Sequence, residues 1–416
     1  MSGCLLADQQ RLGKSIEICG LINACCDLNR VIVICPATLK IQWKNTLDKW
    51  LTVPLAVNII WPHTTELPKS GVTIVNFDLL HRWVWPCVDL LVIDEAHLIK
   101  SPTARRTKKA LAIRAAHKVF LTGTPILNRP IELYPLIKAL DPKSWPTLGS
   151  FGIRYCAGFV GERGWDFSGS SNLEELYDRL RGTTMVRRLR QDVWADLPLV
   201  RREIIELPTD KSTVKREDGF RAHLRETEDL ATAQRVAFER QSIVRHETAL
   251  AKVPQVVDFV KDALDANDEK IILFAHHKDV IAQLADALKD FCPVLITGDT
   301  PVDTRMAAEN VFRIDPACRL FIGNMVAAGV GLDLSVSSRV IFAEIDWSPG
   351  TVRQCEDRGQ NPAKRDSVLV QHLVLEGSID ASMAKALVRK QDILDRALDG
   401  KEDDKPLDFL EIFGVK

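Results

Sequence analysis

The chain has 416 residues, 46% of them hydrophobic and 27% charged, with a formal net charge of −1. That length implies two domains, and the near-neutral balance excludes a globally basic protein, so any contact with nucleic acid must come from local patches. Ten cysteines without a C-x₂-C pair, several of them inside apolar runs (Cys4, Cys35), argue against a zinc site or a disulfide framework and for a reducing compartment.

Cys4-Leu5-Leu6-Ala7 reads as a strand, Asp8 to Leu12 as a loop, and Gly13 onward as a helix start. Backbone N–H groups at such a start can cradle phosphates, with Lys14 reaching the β/γ oxygens and Ser15 ligating Mg²⁺. The strict Gly-x-x-x-x-Gly-Lys-Ser/Thr pattern fails, because Asp8 stands at the first glycine position. Further strands are expected at Val31–Cys35, Val72–Val75, Leu90–Ile93 and Val119–Leu121, separated by helical stretches, as in a doubly wound parallel sheet. Between the first two of these, Trp43, Leu47, Trp50 and Leu51 recur at helical spacing and read as core packing. Leu90–Ile93 is short and apolar and ends in Asp94-Glu95-Ala96-His97. Ligands of open α/β sheets sit beyond the carboxyl ends of the strands. Asp94 is therefore placed to hold Mg²⁺, and Glu95 to polarise an attacking water. The Asp-Glu downstream of Gly-Lys-Ser points to a nucleoside triphosphate site.

From Asp141 to about Leu207 the alternation stops, and Lys211–Leu250 is charged and helix-forming. Arginines cluster from Arg179 to Arg202 (Arg181, Arg187, Arg188, Arg190, Arg201), a pattern usual for a solvated helical face. A second alternating block follows, with strands expected at Ile271–Phe274, Val294–Thr297, Leu320–Ile322, Val340–Phe342 and Val368–Val370. The organisation expected is an ATP-binding lobe at 1–140, an insertion and helical connector at 141–250, a second lobe at 251–400 and a tail at 401–416, with a cleft between lobes that nucleotide closes. No apolar run reaches about eighteen residues and no signal peptide precedes the first strand, so a soluble intracellular protein is expected.

The ordered motifs resemble those of the Swi/Snf-type ATPases, a branch of the superfamily-two helicases, over nearly the whole chain. Leu6-Ala7-Asp8 to Ser15 resembles the first motif, Val33–Ala37 with Trp43 and Trp50 the next, and Asp94–His97 the Asp-Glu-Ala-His box. Leu121-Thr122-Gly123-Thr124-Pro125 with Asn128 and Glu132 resembles the third motif, and Met185–Arg188 with Asp192, Val193, Leu197 and Pro198 the brace that closes the first lobe. Gly329–Asp333 resembles the fifth motif and Gln354–Arg358 opens the sixth. Phe151–Cys156, Gly164–Leu173 and Phe274–Lys278 resemble the annealing-helicase (HARP-like) branch. The resemblance implies two RecA-like lobes and DNA-stimulated ATP hydrolysis with Mg²⁺ that drives sequence-independent movement along double-stranded DNA. It implies Lys14, Asp94, Glu95 and Arg358 as catalytic residues, and Ser15 with Asp94 as metal ligands. Nucleotide binding falls to Asp8, Gln9, Gln10, Arg11, Leu12, Gly13, Lys14, Ser15, Gly331 and Asp333. DNA contacts fall to Pro36, Thr38, His276, His277 and Lys278, where small hydroxyls and cations grip phosphates.

Three departures qualify that picture. Arg11 stands where the family has glycine, Met1 precedes the first strand without the family's upstream glutamine-bearing segment that contacts adenine, and Asn361 replaces the second arginine of the sixth motif. The alternative to an active translocase is a hydrolysis-impaired DNA-binding scaffold; an RNA helicase is a third reading. The lack of accessory domains is read as bacterial or phage origin, with a cytoplasmic location there and a nuclear one in a eukaryote. A monomer is expected, with another replication or repair protein as partner.

Overall fold

Runs of β-branched and leucine residues, buried along their length, build two separate parallel sheets, each wrapped by helices. The structure is a computed structural model. It describes residues 3–25, 27–126, 128–145, 147–161, 164–193, 200–208, 230–266, 268–329, 331–346, 348–360 and 367–378, and individual residues to 387. Described residues up to Val193 form one compact unit and those from Val200 onward another.

The first unit takes strand β1 (Gly3–Leu6) into helix α1 (Lys14–Ala24), β2 (Arg30–Cys35) into α2 (Lys40–Trp50), then β3 (Val57–Ile59), β4 (Gly71–Asn76) and β5 (Val88–Ile93). Helix α3 (Arg105–Leu111) leads to β6 (Ala115–Leu121) and α4 (Tyr134–Leu140). The sheet order is β3-β4-β2-β5-β6-β1, closed at one edge by a later strand, and every pairing is parallel. Parallel order puts the carboxyl ends of β5, β6 and β1 side by side on one edge. The loops after these three strands carry the Asp-Glu box, Thr122–Thr124 and Asp8–Ser15.

The described residues of 141–193 belong to this unit. Helix α5 (Leu148–Tyr155) presses Phe151 and Tyr155 against Trp145, with ring centroids 5.9 and 6.2 Å from the indole. A hairpin of β7 (Phe159–Gly161) and β8 (Gly164–Asp166) follows, then α6 (Leu173–Thr183), and β9 (Met185–Val186) joins the sheet beside β1. A short turn of helix, α7 (Arg190–Val193), ends the unit.

The second unit begins with β10 (Val200–Leu207) and a long helix, α8 (Leu230–Ala266). It continues with β11 (Ile271–Ala275), α9 (Lys278–Ala287), β12 (Val294–Ile296), α10 (Val302–Ile314), β13 (Leu320–Asn324), α11 (Met325–Ala328), β14 (Arg339–Phe342), α12 (Pro349–Glu356) and β15 (Val368–Leu375). Its sheet order is β10-β15-β14-β11-β13-β12, again all parallel. Lys252 of α8, fully buried, donates to the Leu373 carbonyl at 2.9 Å and pairs with Asp380, locking the helix to the sheet. Neither β9 nor β10 is announced by an apolar run. Both are edge strands whose order comes from pairing with a neighbour rather than from burial on two faces.

Candidate nucleotide site and its surroundings

After β1 the chain turns through Asp8–Leu12 and starts α1 on Gly13, whose φ of +86° is the left-handed conformation glycine adopts without strain. No side chain caps this helix among the described residues. Arg11 is also left-handed, at φ +69°. Such a position suits glycine, and it leaves a strained arginine in this chain. The Lys14 ammonium donates to the carbonyls of Asp8 (2.7 Å) and Gln9 (3.1 Å), so the loop wraps around its own lysine. From the neighbouring strand, Gly123 lets the two loops touch, since a Cβ there would lie 2.6 Å from the Gln10 side chain.

Asp94 is buried at the end of β5. Its Oδ2 accepts from the Trp43 indole N–H at 2.8 Å and its Oδ1 from the Glu95 N–H at 2.9 Å. Burial, and next the adjoining Glu95 carboxylate, push its pKa up to about 6 against the pull of those donors and of Lys14. Glu95 stands at φ +49°, a second strained position, with its Oε2 3.2 Å from His97 Nδ1. His97 Nδ1 is also 3.1 Å from Thr122 Oγ1, which accepts from the Thr124 N–H at 3.1 Å, so one chain of contacts joins the box to the third motif. Two adjacent carboxylates, one buried with a raised pKa, form a donor set that a hard divalent cation neutralises, and Ser15 supplies a hydroxyl of the same hardness. These residues fit Mg²⁺ carried on a triphosphate.

Asp8, expected at the nucleotide, spends its carboxylate elsewhere. It is fully buried and accepts from the backbone N–H and the Nε of Arg188, both at 2.8 Å. Arg188 reaches Glu17 of α1 as well (2.5 Å), Arg187 donates to the Ala7 carbonyl (2.7 Å), and the Arg190 N–H donates to Gln9 Oε1 (2.8 Å). The arginine cluster thus includes three residues that tie the phosphate loop to the end of β9.

Pro36 and Thr38 occupy the turn after β2, next to β5 in the sheet, and both are half-buried. In the second unit, His276 and His277 follow β11. Both of their N–H groups donate to Glu344 Oε2 (2.7 and 2.9 Å), and the His277 ring closes on Glu344 Oε1 at 2.5 Å. Burial raises the Glu344 pKa, and these donors more than reverse it, leaving the group below its ordinary value. The His246 ring stacks on His277 at 4.4 Å. Burial lowers the His276 pKa. Lys278 pairs with Asp299 at 2.5 Å on the surface.

Gly331 lies at φ +82°, Asp333 Oδ1 accepts from the Ser335 N–H at 3.3 Å, and Arg358 donates to the carbonyls of Gly329 and Leu332, both at 3.0 Å. The fifth motif therefore holds the first arginine of the sixth. Asn361 and the cations after it lie outside the described residues, as do Leu197 and Pro198.

Two further residues, Trp43 as a partner of Asp94 and Glu356 as an anchor, carry no such role in the sequence pattern. Glu356 is buried in α12 and bound by Arg202 of β10 at 2.6 Å. Burial opposes its charge, but His372 and Arg202 bring its pKa down to about 2. The one available signal was an acid inside the sixth motif, which spacing alone cannot pair with an arginine 154 positions away.

Residues 1–253 match the family model of the SNF2-related domain, and residues 251–360 that of the Helicase conserved C-terminal domain. The chain is 31% identical over 402 residues to a SWI/SNF-related matrix-associated actin-dependent regulator of chromatin subfamily A-like protein 1 from Xenopus tropicalis, covering 94% of this chain and 43% of that protein. It is 31% identical over 425 residues to the DNA annealing helicase and endonuclease ZRANB3 of Mus musculus, covering 96% and 39%. The chain thus spans less than half the length of these curated relatives. A solved Sulfolobus solfataricus SWI2/SNF2 ATPase core in complex with dsDNA aligns over 94% of this chain and 87% of that one, with 20% identity and a TM-score of 0.42. Because the SNF2-related model covers more than half of the sequence, the chain belongs to the SNF2-related family, the Swi/Snf-type branch of the superfamily-two helicase-like ATPases.

Proposed function

We propose that the protein is an ATP-driven translocase on double-stranded DNA, with the hydrolytic site at the carboxyl edge of β1, β6 and β5. The observation that carries this reading is the convergence there of Lys14, Asp94, Glu95 and the His97–Thr122–Thr124 chain. Mg²⁺, when bound, supplies positive charge to the β/γ oxygens. Ser15 and Asp94 hold it, and the start of α1 presents N–H groups to the phosphates. Phosphate oxygens compete with the Asp8 and Gln9 carbonyls for the Lys14 ammonium. Glu95 accepts a proton from, or orients, the attacking water, and its contact with His97 relays nucleotide state to Thr122. Family resemblance makes Arg358 the candidate catalytic arginine of the second unit, where the Gly329 and Leu332 carbonyls hold its side chain. DNA is gripped through its phosphates by the turn at Pro36 and Thr38 and by the His276–Lys278 turn, whose main chain is fixed by Glu344. Membership of the family and the similarity to the annealing helicases support fork remodelling or strand annealing as the setting. No helix among the described residues is long and apolar enough to cross a membrane.

The test compares ATP hydrolysis alone, with duplex DNA and with double-stranded RNA. Stimulation by DNA of any sequence, and little by RNA, is expected. Stimulation by RNA alone would replace this reading with that of an RNA helicase, and no hydrolysis under any condition with duplex binding intact would replace it with that of a scaffold.

A further inference from the structure

From Ala96 to Ile131 the sequence holds no aspartate or glutamate, while Lys100, Arg105, Arg106, Lys108, Lys109, Arg114, Lys118 and Arg129 fall within it. In a chain of net charge −1 this is a concentrated basic stretch, and α3 is its centre. Thr107 and Ala110 of that helix are buried, and Arg105, Arg106, Lys108 and Lys109 are all exposed. At 100° per residue the four cations fan across the face opposite the buried pair. Lys100 is taken up by Glu132 at 2.9 Å, but among the described residues no ion pair reaches any of these four. A solvated helix face of an ordinary globular protein carries both signs and i, i+4 pairs, as Lys44 and Asp48 do on α2. Helix α3 has neither.

Its position in the fold names the partner. The helix packs on the turns 77–82 and 96–99, which follow β4 and β5. In the sheet these strands flank β2, whose own turn carries Pro36 and Thr38. The helix therefore sits on the same sheet edge as the turn proposed to meet the DNA backbone.

We propose that Arg105, Arg106, Lys108 and Lys109 form a second phosphate-binding surface of the first unit, extending its hold on duplex DNA beyond the Pro36–Thr38 turn. This rests on the duplex-DNA reading above. The four cations lie within about 6 Å along the helix axis, enough for two to four phosphates, since duplex DNA carries about one charge per 1.7 Å. The surface carries no base information and serves grip rather than specificity.

The experiment measures the affinity of the full chain for a duplex oligonucleotide across salt concentrations. It uses wild type, a variant with all four residues changed to Gln, and a variant with Arg105 and Arg106 changed to Lys. Glutamine keeps the helix propensity, and the thermal midpoint checks that the fold is retained. The Gln variant is expected to bind about tenfold or more weakly at moderate salt. The slope of log K against log salt should also become shallower by about 0.9 for each phosphate no longer neutralised, some two to three in all. The Lys variant should bind as wild type does, because point charges suffice. A Gln variant with wild-type affinity and slope would overturn the proposal while leaving the duplex-DNA reading intact. Wild type that fails to bind duplex would overturn both. If the Gln variant keeps duplex affinity but loses binding to polyglutamate, the face receives an acidic protein and the nucleic-acid assignment is wrong.

Discussion

At the scale of single residues, strain and buried charge concentrate where the chemistry is placed. Arg11 in a left-handed conformation costs roughly 1–2 kcal/mol, of which glycine would return part, since its unfolded chain is freer by about 0.4–1 kcal/mol. Arg11→Gly is therefore expected to raise stability by about 0.5–1 kcal/mol in urea unfolding and to keep nucleotide binding, which the backbone carries. A lower urea midpoint would show that the Arg11 side chain holds the loop. Trp43→Phe keeps most of the packing and removes the N–H that fixes Asp94. Partners that orient a ligating group are worth roughly 10- to 100-fold in metal affinity, so Mg²⁺-dependent nucleotide binding should need that much more Mg²⁺, and an unchanged titration would reduce Trp43 to filler. Asp94 itself, beside Glu95, Lys14 and Trp43, has a folded pKa of about 6, above its ordinary 3.8. Between those values the folded state binds more protons than the unfolded one, so stability falls as pH rises through that window. Asp94→Asn should accordingly stabilise the protein by about 2–3 kcal/mol above pH 6 and hardly at all near pH 4, while abolishing hydrolysis. A gain that is the same at both pH values would contradict the buried-charge account.

Among elements, β9 and the residues after it decide whether the phosphate loop keeps its shape. Arg188 compensates the fully buried Asp8, whose carbonyl with that of Gln9 holds Lys14. Removing one partner of a buried pair leaves an uncompensated charge, worth roughly 3–5 kcal/mol when both are buried and less here because Arg188 is half-exposed. Arg188→Ala should destabilise by about 2–3 kcal/mol and weaken nucleotide binding with little change in DNA affinity; the converse pattern would return this arginine to the DNA surface. The central strands and their loops were legible in the sequence because buried parallel strands are uninterrupted apolar runs and the phosphate-loop and Asp-Glu residues sit at their ends. The β7–β8 hairpin, β9 and β10 were not. Met185–Val186 is only two residues long, and Val200–Leu207 alternates charge with isoleucine at an edge. Lys14, Asp94 and Glu95 were candidates because each follows an apolar run, and the loops that carry them lie along one sheet edge. The Trp43–Asp94 bond spans 51 positions, and a buried tryptophan at helical spacing already satisfies the packing reading. His277 looked like a loop cation, whereas Glu344, 67 positions away, engages its ring.

For the whole molecule, two parallel-sheet units of similar build present their motif loops at the carboxyl edges of their sheets, and the proposed work depends on nucleotide chemistry in the first. Asn361 bears on how fast that chemistry runs. An arginine acting as a finger can be worth about 10³–10⁵ in turnover, and asparagine carries no charge, so slow hydrolysis with weak stimulation is expected. The decisive measurement is the steady-state rate of ATP hydrolysis with and without duplex DNA for wild type, Lys14→Ala, Glu95→Gln and Asn361→Arg. Wild type is expected to show a slow, DNA-stimulated rate, and Lys14→Ala and Glu95→Gln background rates, with nucleotide still bound by the latter. Asn361→Arg is expected to raise the stimulated rate about tenfold or more. Hydrolysis by Lys14→Ala or Glu95→Gln at the wild-type rate would contradict the assignment of the hydrolytic site.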